Sequence, residues 1–308
     1  MTKIANRIAY GNSLVKLAEK HDFYVMDADL SKATGTKAFY EKYPERFINV
    51  GIAEQNLMAT AAGLSSCGKP VFASTFAMFG AGRAYEQIRN SIAYTNANVK
   101  IICTHAGVLI GEDGASHQCI EDLSLMRTIP NMIVEVPSDA FMVEKMIEAS
   151  MAFEGPFYAR MGRQDLETIY DESLNFEIGK AIKLKSGKDV HIIACGELVK
   201  TSLDAREILL SKGIDASVID MHTIKPIDKD MLEKCIESGK LIVSVEDHNV
   251  IGGLGSAIAE VIAEKGRGKL ARIGLQDEFG CSGKVSYLQE YYSLTAEKIA
   301  ERIEREMR

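Results

Sequence analysis

Short apolar runs alternate with stretches of helical spacing along most of this chain. FYVMDADL (23–30) and KPVFAST (69–75) read as strands, and AGRAYEQIRNSIAY (81–94) reads as a helix. VKIICTHAG (99–107) is a further strand that runs into a glycine-rich loop. QCIEDLSLMRTI (118–129) has helical spacing, and NMIVEVPSD (131–139) is a strand with a turn. SDAFMVEKMIEASM (138–151) opens on a Ser/Asp cap and keeps helical periodicity, and PFYARMG (156–162) closes the set. Such alternation predicts a parallel sheet covered by helices on both faces.

Residues 164–188 interrupt the pattern. They are polar with little apolar periodicity, and read as a linker with a short ribbon. A second alternating unit follows. VHIIACG (190–196), IDASVID (214–220) and KLIVSVED (240–247) read as strands, with helices at 197–213 and 256–266. The predicted fold class is α/β, with two domains whose sheets are parallel or mostly parallel and flanked by helices. The expected divisions are a first domain at 1–165, a linker at 166–188 and a second domain at 189–308. A length of 308 residues fits about two domains.

Composition narrows the classes of function. The hydrophobic share of 46% and charged share of 26% are those of a globular protein. A net charge of −7 without a Lys/Arg block argues against a nucleic-acid partner. No apolar run reaches the roughly 18 residues needed to cross a bilayer, and the start MTKIANRIAYGNSL has no signal-peptide core, so no membrane association is expected. Six cysteines without a CxxC or regular spacing point to reduced, packed thiols and a cytoplasmic setting.

Two segments carry candidate chemistry. FINVGIAEQNL (47–57) places Glu54 at the start of a helix that is otherwise almost wholly apolar or small. Local pattern alone leaves Glu54 open between helix cap and catalyst, since acids are common in first helical turns. THAGVLIGEDGASHQ (104–118) leaves the C-terminal end of a predicted parallel strand, where ligands bind in open α/β sheets. It holds three glycines, two carboxylates and two histidines. Glycines there admit close approach of backbone to ligand, and histidines donate to phosphate or hydroxyl groups or carry protons. Arg160 and Arg163 end a strand on the same side and form a candidate anion clamp, with a solvated pair the plain alternative. GGLGS (252–256) is a fragment of a dinucleotide fingerprint without the full GxGxxG, and weak for that reason. The two histidines lack further ligands at metal spacing, so no metal site is expected on this chain.

Several motifs in order carry a family resemblance. GIAEQNLMATAAGL, KPVFASTFAMFGAGRAYEQIR, GVLIGEDGASHQCIEDLSLMRTIPNM and VPSDA resemble the pyrimidine-binding domain of transketolases across residues 1–165. Residues 185–308 resemble the transketolase C-terminal domain. The resemblance is to the C-terminal subunit of split transketolases, in which the enzyme is encoded as two chains. Full-length members carry a GDG…N motif that holds Mg²⁺ and the diphosphate of thiamine diphosphate, and that motif is not found here. The resemblance therefore implies a shared cofactor, with Mg²⁺ and diphosphate held by an N-terminal partner subunit. It also implies two copies of each chain in a heterotetramer, and no activity for this chain alone.

The resemblance also implies roles. Glu54 would hydrogen-bond the aminopyrimidine ring of thiamine diphosphate and stabilise its imino tautomer, whose nitrogen takes the thiazolium proton. Phe76 and Phe79 would line the ring pocket, with Gly82 where a third aromatic often stands. Asp29 would lie near the cofactor at the subunit interface. His117 and Asp113 would contact donor-sugar hydroxyls. His105, Arg163 and Arg7 would bind the sugar phosphate, with Ala33 replacing a serine that often joins them. The implied activity is transfer of a two-carbon ketol unit from a ketose phosphate to an aldose phosphate in pentose phosphate metabolism. Alternatives are a 1-deoxyxylulose-5-phosphate synthase-like subunit, a 2-oxoacid dehydrogenase beta-like subunit, or a split transketolase for an unusual branched sugar phosphate. A non-catalytic scaffold that keeps the fold is a further alternative, and Glu54 argues against it.

Overall fold

The structure, a computed structural model, describes residues 3–308. Its first strands are β1 (Lys3–Ala5), β2 (Tyr24–Asp27), β3 (Phe47–Asn49), β4 (Val71–Phe76), β5 (Val99–Thr104), β6 (Ile133–Glu135) and β7 (Phe157–Arg160). The chain continues through β8 (Asp165–Glu167), β9 (Ile182–Lys185), β10 (Val190–Ala194) and β11 (Ala216–Asp220). It ends with β12 (Thr223–Lys225), β13 (Leu241–Asn249) and β14 (Lys269–Leu275). A seven-stranded sheet runs β12-β6-β7-β5-β4-β2-β3, and a five-stranded sheet runs β14-β13-β10-β11-β9. Both are parallel apart from one antiparallel edge strand each, β12 on β6 and β9 on β11. Sheets flanked by helices are the fold class that the alternating pattern predicts.

Every residue of β4 (VFASTF) and β5 (VKIICT) is buried. Central strands of a parallel sheet are covered on both faces, which is why they read as nearly continuous apolar runs. Lys100 is the exception in β5. Its stem lies in the core while Nζ donates to Phe153 O at 2.6 Å and Gly155 O at 2.9 Å. The helix Glu54–Ser66 buries Leu57, Met58 and Ala61 against this sheet.

Three local features differ from the pattern. The predicted helix at 81–94 is a helical stretch in which π turns at Met78–Arg83 and Ile88–Ala93 flank Tyr85–Gln87. The polar segment at 164–188 contributes β8, which pairs with β1, and β9, an edge strand of the second sheet. β12 comes from the second half of the chain and joins the first sheet. Buried Glu135 on β6 explains the pairing, because it accepts from Thr223 Oγ1 at 2.7 Å and pairs with His222 Nδ1 at 3.0 Å. One apolar cluster spans both sheets, joining Ile101 and Tyr158 to Ile193 and Leu254.

Gly35 fixes where the first helix (Asn6–Leu17) can sit. Its φ is +89°, and a Cβ there would lie 2.0 Å from Arg7 O. Gly11, on that helix, approaches Gly35 O equally closely. Gly35→Ala is expected to lower stability by about 2 kcal/mol or more, through both overlap and left-handed strain. Gly63 faces open space within the helix Glu54–Ser66, so Gly63→Ala is expected to raise stability by about 0.5–1 kcal/mol. Urea unfolding of the two variants checks both signs.

Candidate functional site

Parallel strands deliver their following loops to one edge, and the site forms where β4 and β5 end. Glu54 opens its helix beside that edge. It is only 2% exposed, and its Oε2 accepts from Arg83 Nη1 at 2.7 Å. A buried carboxylate needs a donor or a counter-charge, and Arg83 supplies both. Arg83 reaches it from the π turn Met78–Arg83, with its guanidinium 4.7 Å from the centre of the Phe79 ring. One widened turn thus presents Phe79 and Arg83 together, a known use of π turns at functional positions.

From Phe79 the contacts continue as a strip. Its ring stacks on Phe76 at 5.9 Å and meets His117 edge to face at 5.2 Å. Phe76 in turn stacks on His105 at 3.9 Å. His105 is the residue just past β5, in the left-handed region at φ +57°, with Nδ1 2.9 Å from Thr104 Oγ1. Burial, then the nearby charges of Arg163 and Arg7, push its imidazole down to about 4, so it is neutral at physiological pH. Arg163 lies 3.5 Å from Asp113 Oδ1 and donates to Ile110 O at 3.1 Å. Arg7 reaches Lys32 O and Ala33 O at 3.5 Å, while its buried Nε has no hydrogen-bond partner.

The structure thus brings Glu54, Phe76, Phe79, His105, His117, Asp113, Arg163 and Arg7 into one continuous surface. A carboxylate and two phenylalanine rings stand at one end, and two guanidiniums at the other. Asp29 stands outside the strip in its contacts. It pairs with Asn49, accepting from Nδ2 and donating its own N–H to Oδ1, each at 3.0 Å. Space beside Gly82 is taken by Met78, whose Cε would lie 2.5 Å from a Cβ at that position. Arg83 was the member that motif reading passed over. Its signal is the four-residue spacing from Phe79, which puts both on one face of a helical turn.

Two other candidates are already satisfied within the protein. Arg160 is no anion clamp: it is 5% exposed and pairs with Asp122 Oδ1 at 3.0 Å and Asp247 O at 2.9 Å, so its charge is already spent inside the protein. GGLGS holds no phosphate cradle. Glu246 places its carboxylate on the amides of Leu254 and Gly255 at 2.6 and 2.8 Å, filling the helix N-terminus where an anion would bind.

The ring end of the strip fits a flat, nitrogen-bearing heterocycle. Phenylalanine faces suit such a ring, and the Glu54 carboxylate receives only Arg83 among the described residues. Among the described residues, no group of three or more His, Cys, Asp or Glu side chains is arranged to hold a metal ion. No helix of the described residues is long and apolar enough to cross a membrane.

Comparison with known proteins matches both halves of the chain to one family. Residues 2–168 match the family model for the transketolase pyrimidine-binding domain, and residues 179–299 match that for the transketolase C-terminal domain. The chain is 51% identical over 306 residues to a putative transketolase C-terminal section of Methanocaldococcus jannaschii, covering 98% of this chain and 96% of that one. It is 38% identical over 294 residues to the 6-deoxy-6-sulfo-D-fructose transketolase subunit SqwH of Clostridium sp. (strain MSTE9), covering 95% and 91%. A solved structure described as a split gene transketolase in an inactive β4 tetramer superposes with a TM-score of 0.91 at 47% identity, covering 98% of each chain.

The buried imidazole yields a pH prediction. His105 is expected to titrate near 4, well below its ordinary 6.5. A folded-state value below the unfolded one means that protonation favours the unfolded chain, so the cost from His105 grows as pH falls through that interval. Histidine-selective NMR reads the midpoint directly. Arg163→Ala removes one repelling charge and is expected to move the midpoint upward. A wild-type midpoint at or above 6 contradicts the burial argument.

Proposed function

This chain belongs to the transketolase family, whose members depend on thiamine diphosphate, and on that premise we propose that it is the C-terminal subunit of a split transketolase. In this reading it moves a two-carbon ketol unit from a ketose phosphate to an aldose phosphate. The observation that carries it is the single strip joining buried Glu54 and its two phenylalanine rings to the histidines and arginines beyond. A cofactor ring at one end and a phosphorylated sugar at the other match the two halves of that strip.

Each residue then has a physical task. Glu54 accepts a hydrogen bond from the aminopyrimidine ring and holds a proton at the ring nitrogen. Phe76 and Phe79 cover the ring face and exclude water. Arg83 is the group that the ring must displace from Glu54, and its side chain, 49% exposed, has room to swing away. His117 and Asp113 orient sugar hydroxyls. Neutral His105 donates to a sugar or phosphate oxygen without adding charge, while Arg163 and Arg7 supply the positive charge that a phosphate needs. Thiamine diphosphate, when bound, supplies the carbanion chemistry that breaks and makes the carbon–carbon bond. An N-terminal partner subunit holds its diphosphate and Mg²⁺, and Asp29 lies near the joint with that partner. Two copies of each subunit complete the assembly, in the cytoplasm.

A second reading concerns the sugar. A relative 38% identical is named a 6-deoxy-6-sulfo-D-fructose transketolase subunit, which supports an unusual ketose as the alternative donor. The test combines this chain with its N-terminal partner, Mg²⁺ and thiamine diphosphate. Xylulose 5-phosphate with ribose 5-phosphate, a panel of other ketose phosphates, and pyruvate with glyceraldehyde 3-phosphate are offered in parallel. Ketol transfer is expected, with a loss of about 100-fold or more in Glu54→Ala. Turnover of pyruvate alone replaces the assignment with a synthase. No transfer by folded, assembled subunits, or full activity in Glu54→Ala, overturns it.

A further inference from the structure

The loop that carries Asp113 and His117 begins and ends on groups from the other sheet. Asp247, near the end of β13, accepts from Val108 N at 3.0 Å through Oδ1 and from Leu109 N at 3.2 Å through Oδ2. Gly107 makes that approach possible: its φ is +80°, and a Cβ there would lie 1.9 Å from Asp247 Oδ2. At the far end of the loop, Asn249 N donates to Ile120 O at 2.9 Å. Gln118, next to His117, is buried, and its Nε2 bridges Val108 O at 3.0 Å and Cys281 O at 2.9 Å. Gly280 leaves room for this amide, since a Cβ there would overlap Gln118 Oε1 at 1.8 Å. In the middle, Ser282 Oγ donates to Glu112 O at 2.7 Å.

These bonds are unevenly placed along the site. Glu54 and Arg83 pair with each other within the first half of the chain. The loop with Asp113 and His117 is tied to Met161, Arg163 and Gln164 in the first half, and also, at both ends and in the middle, to residues 247–249 and 281–282. We propose that Asp247 and Gln118 are positioning residues through which the second domain sets the sugar-contacting loop, so that this domain acts on sugar binding far more than on the ring pocket, which meets the loop through His117 on Phe79. The inference rests on reading His117 and Asp113 as sugar contacts. Backbone amides held by a carboxylate, and a side-chain amide bridging two carbonyls, are bonds whose loss frees a loop without emptying a core.

Asp247→Asn keeps the shape but turns one of the two acceptors into a donor facing an N–H. Gln118→Ala removes the bridge at the other end. Hydrogen exchange on the full chain is expected to rise about tenfold at 108–118 in both variants, with β4 and the turn at 78–83 unchanged. Histidine-selective NMR is expected to move the His117 resonance and leave that of His191. In the complex with the N-terminal partner, the KM for the ketose phosphate is expected to rise about tenfold or more, with half-saturation by thiamine diphosphate within about twofold of wild type. Unchanged exchange at 108–118 in the variant that folds overturns the proposal. So does a cofactor half-saturation that weakens as much as the sugar KM. A wild-type complex without ketol transfer defeats the transketolase reading alone, since the exchange and imidazole measurements judge the positioning on the isolated chain.

Discussion

Arg160 closes β7 with almost no access to water. Taking a guanidinium out of water costs several kcal/mol, which only well-placed partners offset. Asp122 provides a carboxylate at 3.0 Å and the Asp247 carbonyl a second acceptor at 2.9 Å. Asp122 in turn receives the Tyr158 hydroxyl at 2.7 Å. The two acceptors belong to different parts of the chain. Asp122 lies in the helix Asp122–Arg127 beside the first sheet, and Asp247 on β13 of the second. Losing Asp122 strands a charge in the interior and losing the carbonyl strands an N–H, so the guanidinium binds the strand ends of both sheets to a common point. The shared apolar cluster gives the two units adhesion, and Arg160 gives them a defined alignment. Everything that hangs on the strand ends, the site included, inherits that alignment.

The charges of the site divide into fixed and movable ones. Glu54 is buried and cannot leave, and in this structure its counter-charge is Arg83, half exposed on a widened turn. A long exposed side chain is ordered at an entropic cost and is easily exchanged for another donor. A ring that comes to Glu54 therefore meets a buried carboxyl group and a cation free to move aside. His105 shows the opposite design. Burial and two flanking guanidiniums keep it neutral, so it hydrogen-bonds without drawing a proton from solution. Positive charge for an anionic group is left to Arg163 and Arg7, one of which already balances Asp113.

How much of this was written in the sequence depends on whether the signal was local. β4 and β5 were legible because central parallel strands must be apolar throughout. Glu54 was conspicuous because an acid before a buried helix is unusual, and the loop at 104–118 because polar groups crowd the end of a strand. β12 was illegible: His222 and Thr223 of MHTIKP find their place on β6 only through Glu135, which stands 88 residues from Thr223. The π turns were hidden for a related reason, since a helical run and a widened one share the same apolar spacing over so short a stretch. Arg160 misled because its guanidinium was already satisfied by partners distant in sequence, Asp122 and the Asp247 carbonyl, while GGLGS, weak as a motif, has its amides taken by Glu246. A motif reports which groups are present. Only the fold reports which of them are still free to bind anything.

That distinction bears on how a family of this kind can change its sugar. Glu54, Phe76, Phe79 and Arg83 take their mutual contacts from one sheet and its helices, so the ring end is complete within the first half of the chain. The loop with Asp113 and His117 leaves the same sheet, and part of its backbone is satisfied from beyond it, by Asp247, Asn249 and Ser282. An unsatisfied amide in that buried turn is costly, so the loop's path follows the second sheet's edge. On the proposed reading, changes in the segment 247–283 act on the loop with Asp113 and His117 and leave the Glu54–Arg83 pair in place. A two-sheet arrangement with one site across it thus separates two demands. One is the ring end, held within the first sheet and its helices, and the other is the loop end, held in part from the second sheet. The buried guanidinium of Arg160 keeps the two ends in register while they vary independently.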